Sequence, residues 1–301
     1  MKYVIITDET VKMLYGQQTS VRFQRAPVFA FPAGERHKTR ETKQRLEDEL
    51  LGAGFNRETT IVALGGGVVT DLAGFLAATF CRGVDLILVP TTLLAMVDAS
   101  IGGKTAVNTP YAKNSIGAFY EPVETIIDLN FLKTLPEKEF FNGHVEVWKA
   151  GLIADPDFFD CWESKMIERA REIKTQIVQA DPKDRSVRRM LNLGHTLGHA
   201  FETVSHYSMS HGEAVAAGIV LEARMSVEMG FLSSEELAKI EARFPKPNIS
   251  LNPDAILQAL HFDKKGKYRF ILLKAIGEPF ECFVPEACIR KVLHDAALCS
   301  C

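Results

Sequence analysis

This chain of 301 residues is first characterised by what it lacks. Its six cysteines, Cys81, Cys161, Cys282, Cys288, Cys299 and Cys301, form no CxxC pair and no disulfide-framework spacing. That pattern fits a reducing cytoplasm better than secretion. The longest obvious apolar run, residues 214–221, is far too short to span a bilayer. The apolar segment at residues 3–6 is too short for a signal-peptide core, which again points to a cytoplasmic protein. Basic residues are not in excess. With 35 Lys and Arg against 38 Asp and Glu, a net charge of −3 argues against broad binding to nucleic acid or to an anionic membrane. The chain has no internal repeat, low-complexity tract or long linker.

What is present reads as two domains. The length is about twice a typical domain, and 47% hydrophobic with 24% charged residues is an ordinary globular balance. The first half alternates strand signals (residues 3–7, 28–31, 60–64, 84–89 and 125–129) with helical ones (41–53 and 68–81). Such alternation predicts an α/β domain with a parallel sheet and helices on its faces. After Pro136 the pattern turns helical, over residues 137–153, 158–180, 186–204, 213–229 and 234–244, with a possible hairpin joining 267–273 to 281–284. The boundary is expected near Leu135-Pro136, giving domains 1–135 and 136–301.

Residues 60–74, TIVALGGGVVTDLAG, read as strand, triple glycine and helix. Glycines let a backbone approach a ligand closely, and a helix start offers free N–H groups to a phosphate. The GxGxxG dinucleotide fingerprint and the GxxxxGK[ST] phosphate loop are both absent, and a tight turn without a ligand fits the same residues. Thr91-Thr92 at the end of the next strand, then Asp98, Gly102-Gly103-Lys104-Thr105 and Lys113-Asn114, add hydroxyls, a carboxylate and cations where open α/β sheets bind ligands. Upstream, Gly34-Glu35-Arg36-His37-Lys38 suits ribose hydroxyls, but a solvated charged turn is the plainer reading.

In RRMLNLGHTLGHAFE, residues 188–202, helical spacing puts Arg188, Asn192, His195, His199 and Glu202 within roughly 80° of arc. Gly194 and Gly198 flank this stripe at about 1 kcal/mol each relative to alanine, so a packing or site reason is expected. His195 and His199 can bind one metal, with His211 at a loop-to-helix junction beyond, Glu213 after it, and Glu146 upstream in VEVWK. Glu146 and Lys149 alone read as a routine intrahelical pair. His37, His144, His206, His261 and His294 read as surface or packing histidines. The cations Arg82, Lys104, Lys113, Lys149, Lys174, Arg188, Lys264 and Lys265 lie among these motifs and suggest a small anionic substrate.

In order and spacing, GGGVVTDLAGF, VPTTLLAMVDASIGGKTAVN, Lys113-Asn114 followed by IGAFYEP, VEVWK, LNLGHTLGHAFE, HGEAV and DKK resemble the 3-dehydroquinate synthase family over nearly the whole chain. The resemblance implies a Rossmann-like NAD-binding α/β domain followed by an all-α metal-binding domain. It implies an activity that converts a heptulosonate phosphate into 3-dehydroquinate and phosphate, with transient oxidation by NAD, phosphate elimination, re-reduction and aldol closure. The leaving phosphate can assist the proton transfer. One divalent metal, zinc or cobalt, would be held by Glu146, His195 and His211, leaving His199 as a substrate-facing residue. Lys174, Arg188 and Asn192 would take the substrate carboxylate, and Lys104, Asn114, His199 and Lys264 the phosphate. Asp98 and Lys149 would face the reacting hydroxyls. Arg82 would come from the partner subunit of a homodimer. NAD would contact Asp8, Glu35, Lys38, Gly66, Gly67, Asp71, Thr91, Thr92, Lys104 and Lys113. The chain departs from the family in a short N-terminal edge, in Thr10, in Thr70 before the aspartate, in His144 near the glutamate and in a compact stretch at 244–263.

Overall fold

The computed structural model describes residues 2–160, 163–206, 208–245, 252–264 and 268–298. The chain divides into two compact units, Met1–Phe140 and Phe141–Cys301.

The first unit is built on a five-stranded parallel sheet whose strands lie in the order Val28–Phe31, Lys2–Asp8, Thr59–Gly65, Asp85–Pro90 and Glu124–Thr125. β1 (Lys2–Asp8) leads into a short helical run of α1 (Glu9–Val11), a π turn (Lys12–Gly16) and α2 (Gln17–Arg22). β2 (Val28–Phe31), α3 (Arg40–Gly52), β3 (Thr59–Gly65), α4 (Gly67–Thr79) and β4 (Asp85–Pro90) follow. Every residue of β3 is buried, as expected for a β-branched central strand covered on both faces. Its neighbours Val4, Ile6 and Leu88 share a core with Leu46 and Leu50 of α3 and Leu72 and Leu76 of α4. Each such side chain contributes about 1.5–3 kcal/mol by leaving water. A separate hairpin pairs β5 (Lys104–Val107) with β6 (Ile116–Phe119), a feature with no clear alternation in the sequence.

The strand expected at 125–129 is reduced to β7 (Glu124–Thr125). Asp128 ends it by accepting a hydrogen bond from Asn130 N at 2.9 Å, which caps a 3-10 helix at Leu129–Thr134. Local carboxylate capping outcompetes the strand propensity of this segment.

The second unit is mainly helical: α5 (Glu137–Ala154), α6 (Glu163–Ala180), α7 (His195–Val204), α8 (His211–Glu228), α9 (Ser234–Glu241) and α10 (Pro253–Lys264) precede a hairpin of β8 (Arg269–Leu273) and β9 (Pro279–Phe283), then α11 (Glu286–Leu298). Leu197 and Phe201 of α7 pack with Ala214, Ala217 and Leu221 of α8 and with Phe270 and Leu272 of the hairpin. The hairpin is tied to three helices: Gly277 N donates to Leu152 O of α5 (2.9 Å), Leu273 N to Ser226 Oγ of α8 (3.1 Å) and Ile276 N to Glu236 Oε1 of α9 (3.0 Å). No described helix is long and apolar enough to cross a membrane.

Residues 186–204 are not one helix. A 3-10 segment (Val187–Asn192) ends at Leu193, and Gly194 takes a left-handed φ of 78° before α7 starts afresh at His195. The five-residue polar stripe from Arg188 to Glu202 therefore does not form one continuous face. The cause is packing. A Cβ on Gly194 would lie 2.4 Å from Ile219 Cγ1 and 2.8 Å from Val215 O, so only glycine lets α8 come this close. The packing reason expected for this glycine is thus a break in the helix.

Candidate active site

In the first unit the chain leaves β1 for β2 on one side and then crosses to β3 on the other. This makes the carboxyl ends of β1 and β3 the switch point where open α/β sheets take ligands. Gly65, Gly66 and Gly67 close β3 there and open α4. Gly66 caps α4 without a side chain, which leaves the helix start to accept an anion. A Cβ on Gly66 would lie 2.9 Å from Thr92 Cγ2, so the glycine turn and the threonine pair are in direct contact. Thr92 Oγ1 accepts from Ala95 N (3.1 Å), leading into a π turn at Ala95–Ala99 that carries Asp98. Asp8 caps α1 by accepting from Val11 N (2.9 Å).

Lys38 is not on a solvated turn. Its side chain is 4% exposed, forms an ion pair with Asp71 of α4 and donates to Asn114 Oδ1 (2.6 Å). Burial pushes the Asp71 carboxyl above its ordinary range while the Lys38 charge opposes it. Three expected residues thus meet around the buried Lys38 side chain, with Asp71 half-buried and Asn114 exposed, and the charge run at 35–38 hid this by looking hydrophilic. Glu35 accepts from Asn108 Nδ2 (2.7 Å) beside a cavity of ≈ 350 Å³ also lined by Arg36 and Arg40. Lys104, Lys113 and Arg82 are exposed. Arg82 follows Cys81 in the left-handed region (φ 70° and 50°) and precedes Gly83 at 116°. Thr70 is buried and donates to Gly67 O (3.1 Å), so its hydroxyl is used within α4.

In the second unit Glu146, His195 and His211 each offer a ligand atom, all within 4.8 Å of one another. Glu146 is buried on α5, and both histidines are the first residues of their helices, α7 and α8. Glu146 Oε2 pairs with buried Lys149. Oε1 has no hydrogen-bond partner and lies 3.6 Å from Nε2 of each histidine. Two ligands at about 2.1 Å from a tetrahedral ion stand about 3.4 Å apart, so the orphaned oxygen and the two ring nitrogens fit a divalent cation. A two-histidine, one-carboxylate set is one of the three-ligand arrangements that catalytic zinc sites use. His195 Nδ1 lies 3.1 Å from Leu193 O, which favours the tautomer that leaves Nε2 as the acceptor.

Burial and the nearby Lys149 charge hold the His195 imidazole well below its usual range, keeping it neutral. Burial would raise Glu146, but Lys149 and the two histidines hold it well below the carboxylate range. Burial lowers His211, but the carboxylates of Glu146 and Glu202 outweigh it and bring it to about 9. Glu202 Oε1 stands 3.6 Å from His211 Nδ1, behind the ring. The sequence put Glu202 on the polar stripe without a role; its true signal is the seven-residue interval from His195, which places it at the other end of α7, beside the start of α8. Glu213 closes a capping box with Ser210 at that start.

His199 is exposed, its ring 5.5 Å from that of His195. Arg188 is buried, its Nη1 donating to Pro182 O (3.2 Å) and its backbone N to Asp181. Asn192 borders a cavity of ≈ 440 Å³ with Thr196, Asp184, Arg189, Arg269 and Glu281, in which Glu281 pairs with both arginines (3.7 and 3.3 Å). Lys174 is half-buried on α6. Lys264 is the last residue of α10, its side chain lying outside the described residues, as do Lys265 and the side chain of His261. His144 stacks on Trp148 (ring centroids 4.5 Å), while His206 and His294 are exposed.

The family described as 3-dehydroquinate synthase N-terminal matches residues 28–142, and its C-terminal counterpart matches 143–266. A 3-dehydroquinate synthase of Coxiella burnetii (strain CbuG_Q212) is 46% identical over 91% of this chain and 84% of its own length. That of Halorhodospira halophila is 42% identical over 94% and 87%. Among solved structures, 2-deoxy-scyllo-inosose synthase, complexed with carbaglucose-6-phosphate, NAD+ and Co2+, superposes with a TM-score of 0.88 at 28% identity over 98% of this chain and 90% of its own. The 2-epi-5-epi-valiolone synthase of Streptomyces hygroscopicus subsp. jinggangensis, with NAD+ and Zn2+ bound, gives 0.89 at 27% over 99% and 91%. A glycerol dehydrogenase of Schizosaccharomyces pombe, at 13% identity and 0.66, shares the fold. With both family halves matched in order and relatives above 40% identity along most of its length, the chain belongs to the 3-dehydroquinate synthase family.

Proposed function

We infer that the chain is a 3-dehydroquinate synthase, a carbon–oxygen lyase that releases phosphate from 3-deoxy-D-arabino-heptulosonate 7-phosphate in the shikimate pathway. The observation that carries this reading is the Glu146, His195 and His211 cluster, with its orphaned carboxylate oxygen, in a chain 46% identical to such an enzyme. A bound divalent ion, zinc or cobalt, supplies Lewis acidity toward a substrate oxygen, and bound NAD supplies a reversible hydride acceptor. Residues 1–135 would serve NAD through Asp8, Glu35, Lys38, Gly66, Gly67, Asp71, Thr91, Thr92, Lys104 and Lys113, and residues 136–301 would serve the metal.

The chain's own groups then bind and orient. Lys149 is held by Glu146 at the cluster, so its positive charge favours negative charge developing on a substrate hydroxyl. Asp98 would face the same hydroxyls. Asn192 would take the substrate carboxylate together with Lys174 and Arg188. Lys104, Asn114, His199 and Lys264 would take the phosphate. Holding both ends of an acyclic intermediate lowers the entropy of ring closure. Cys81 and Arg82 both take left-handed φ, a strained presentation that suits a group reaching into the partner subunit of a homodimer. We propose a cytoplasmic location.

Incubation with the heptulosonate phosphate, NAD and a divalent metal should release phosphate without net NADH, and a chelator should stop it. No phosphate release by a folded, metal-loaded chain would reject the reading. NADH accumulating with a polyol would support a dehydrogenase instead, and turnover of a sugar phosphate without a carboxylate would support another cyclase.

A further inference from the structure

The N-terminus of α7 has no capping side chain of its own. Gly194 occupies the N-cap position with φ 78°, where most other residues are strained and where a Cβ would strike α8. The third helical residue, Leu197, has no polar side chain to reach back as a capping-box partner would. Both orphan donors instead point to one residue of the neighbouring helix. Glu222, fully buried on α8, accepts from Gly194 N through Oε2 (2.6 Å) and faces Leu197 N through Oε1 (3.5 Å). A single carboxylate thus does from outside what a capping box does from within, at the positive end of the helix dipole.

His195 is one of the two residues between these donors and the first of α7. His211 is the first residue of α8, about three turns before Glu222 on the same helix. Its own cap is built locally, by Ser210 and Glu213. α8 therefore supplies one metal-ligating histidine directly and the cap of the helix bearing the other. We propose that Glu222 is a positioning residue of the metal centre: its carboxylate fixes the start of α7, and with it the place of the His195 ring relative to His211 and Glu146. The inference rests on the metal assignment above.

The test titrates the metal-free full chain with Co2+, reading the d–d absorption of the bound ion, for the parent, Glu222→Gln, Glu222→Asp and Leu293→Ala. The last removes a buried side chain of α11 and destabilises the same unit by packing alone. Glu222→Gln keeps the volume and one oxygen but sets an NH2 against an N–H donor. Outer partners of metal ligands typically change affinity about 10–100-fold. Glu222→Gln should weaken Co2+ binding at least about tenfold and alter the band shape at saturating Co2+, while Leu293→Ala keeps parental affinity and bands. Glu222→Asp, which retains the charge but draws it back, should fall between and serves if the Gln variant does not fold. Parental affinity and spectrum in the Glu222 variants overturn the inference, as does an equal loss in Leu293→Ala. A folded parent that binds no Co2+ overturns the metal assignment with it.

Discussion

Replacing Gly194 by alanine should damage the second unit far more than replacing Gly198, although the sequence assigns both glycines the same helix cost. At Gly194 the left-handed φ of 78° costs an alanine about 1–2 kcal/mol. The added Cβ would stand 2.4 Å from Ile219 Cγ1, 2.8 Å from Val215 O and 3.0 Å from Ile219 N. Two of those three atoms are α8 backbone and cannot rotate aside, so overpacking adds about 1–3 kcal/mol. At Gly198 φ is unexceptional and the nearest atoms, Val215 Cα and Cγ2, are 3.3 Å away. That tight contact is offset by about 1 kcal/mol of gained helix propensity. The expected losses are about 2–5 kcal/mol against about 0–1 kcal/mol. Urea unfolding of the metal-free chain, followed by far-UV circular dichroism, measures the difference. At a slope of about 2 kcal/mol per molar, the Gly194→Ala midpoint should fall by about 1–2.5 M relative to the parent. Equal midpoints for the two variants would refute the left-handed break as the reason for Gly194.

Metal uptake should expel the proton that His211 carries below about pH 9, so apparent affinity should rise about tenfold per pH unit between 7 and 9; calorimetry in buffers of different ionisation enthalpy checks this, and a flat profile rejects it. Because that pKa is raised in the folded metal-free chain, its stabilising contribution is complete below 6.5 and is lost as pH rises through about 9. His211→Gln should flatten that part of the stability profile. Glu146→Gln should abolish metal binding and also destabilise the metal-free chain by about 3–5 kcal/mol, because Lys149 is left buried without its counter-charge. His211→Ala should lose metal with a smaller drop in thermal midpoint. Lys38→Met should weaken NAD binding at least about tenfold by leaving the half-buried Asp71 carboxylate without its cation, and unchanged titration curves would count against that role.

The elements that were legible had strong local signals. β3 with its triple glycine, the amphipathic α3 and the apolar α8 follow from residue pattern alone. So does the β8–β9 hairpin. Readings failed where a distant packing partner decided the backbone. Nothing local to RRMLNLGHTLGHAFE says that α8 will press on Gly194, so the histidine helix reads as longer than it is. The ligand cluster draws on α5, α7 and α8, and a carboxylate 49 residues before His195 carries no local mark of that proximity. Lys38 and Glu222 were obscured for a related reason. Each is a charged residue buried against a partner far along the chain, which composition registers only as polarity.

The β8–β9 hairpin acts on the site from a distance. Its bonds to Leu152 on α5 and to Ser226 on α8 grip two of the three ligand-bearing helices beyond Glu146 and His211, toward their C-terminal ends. Each helix then behaves as a lever with the hairpin at one end and a ligand toward the other. A graft or insertion in the turn around Gly277 should disturb the bond to Leu152, and a change in metal affinity would report it. Tightness of the ion becomes a gauge of strain in a loop that touches no ligand.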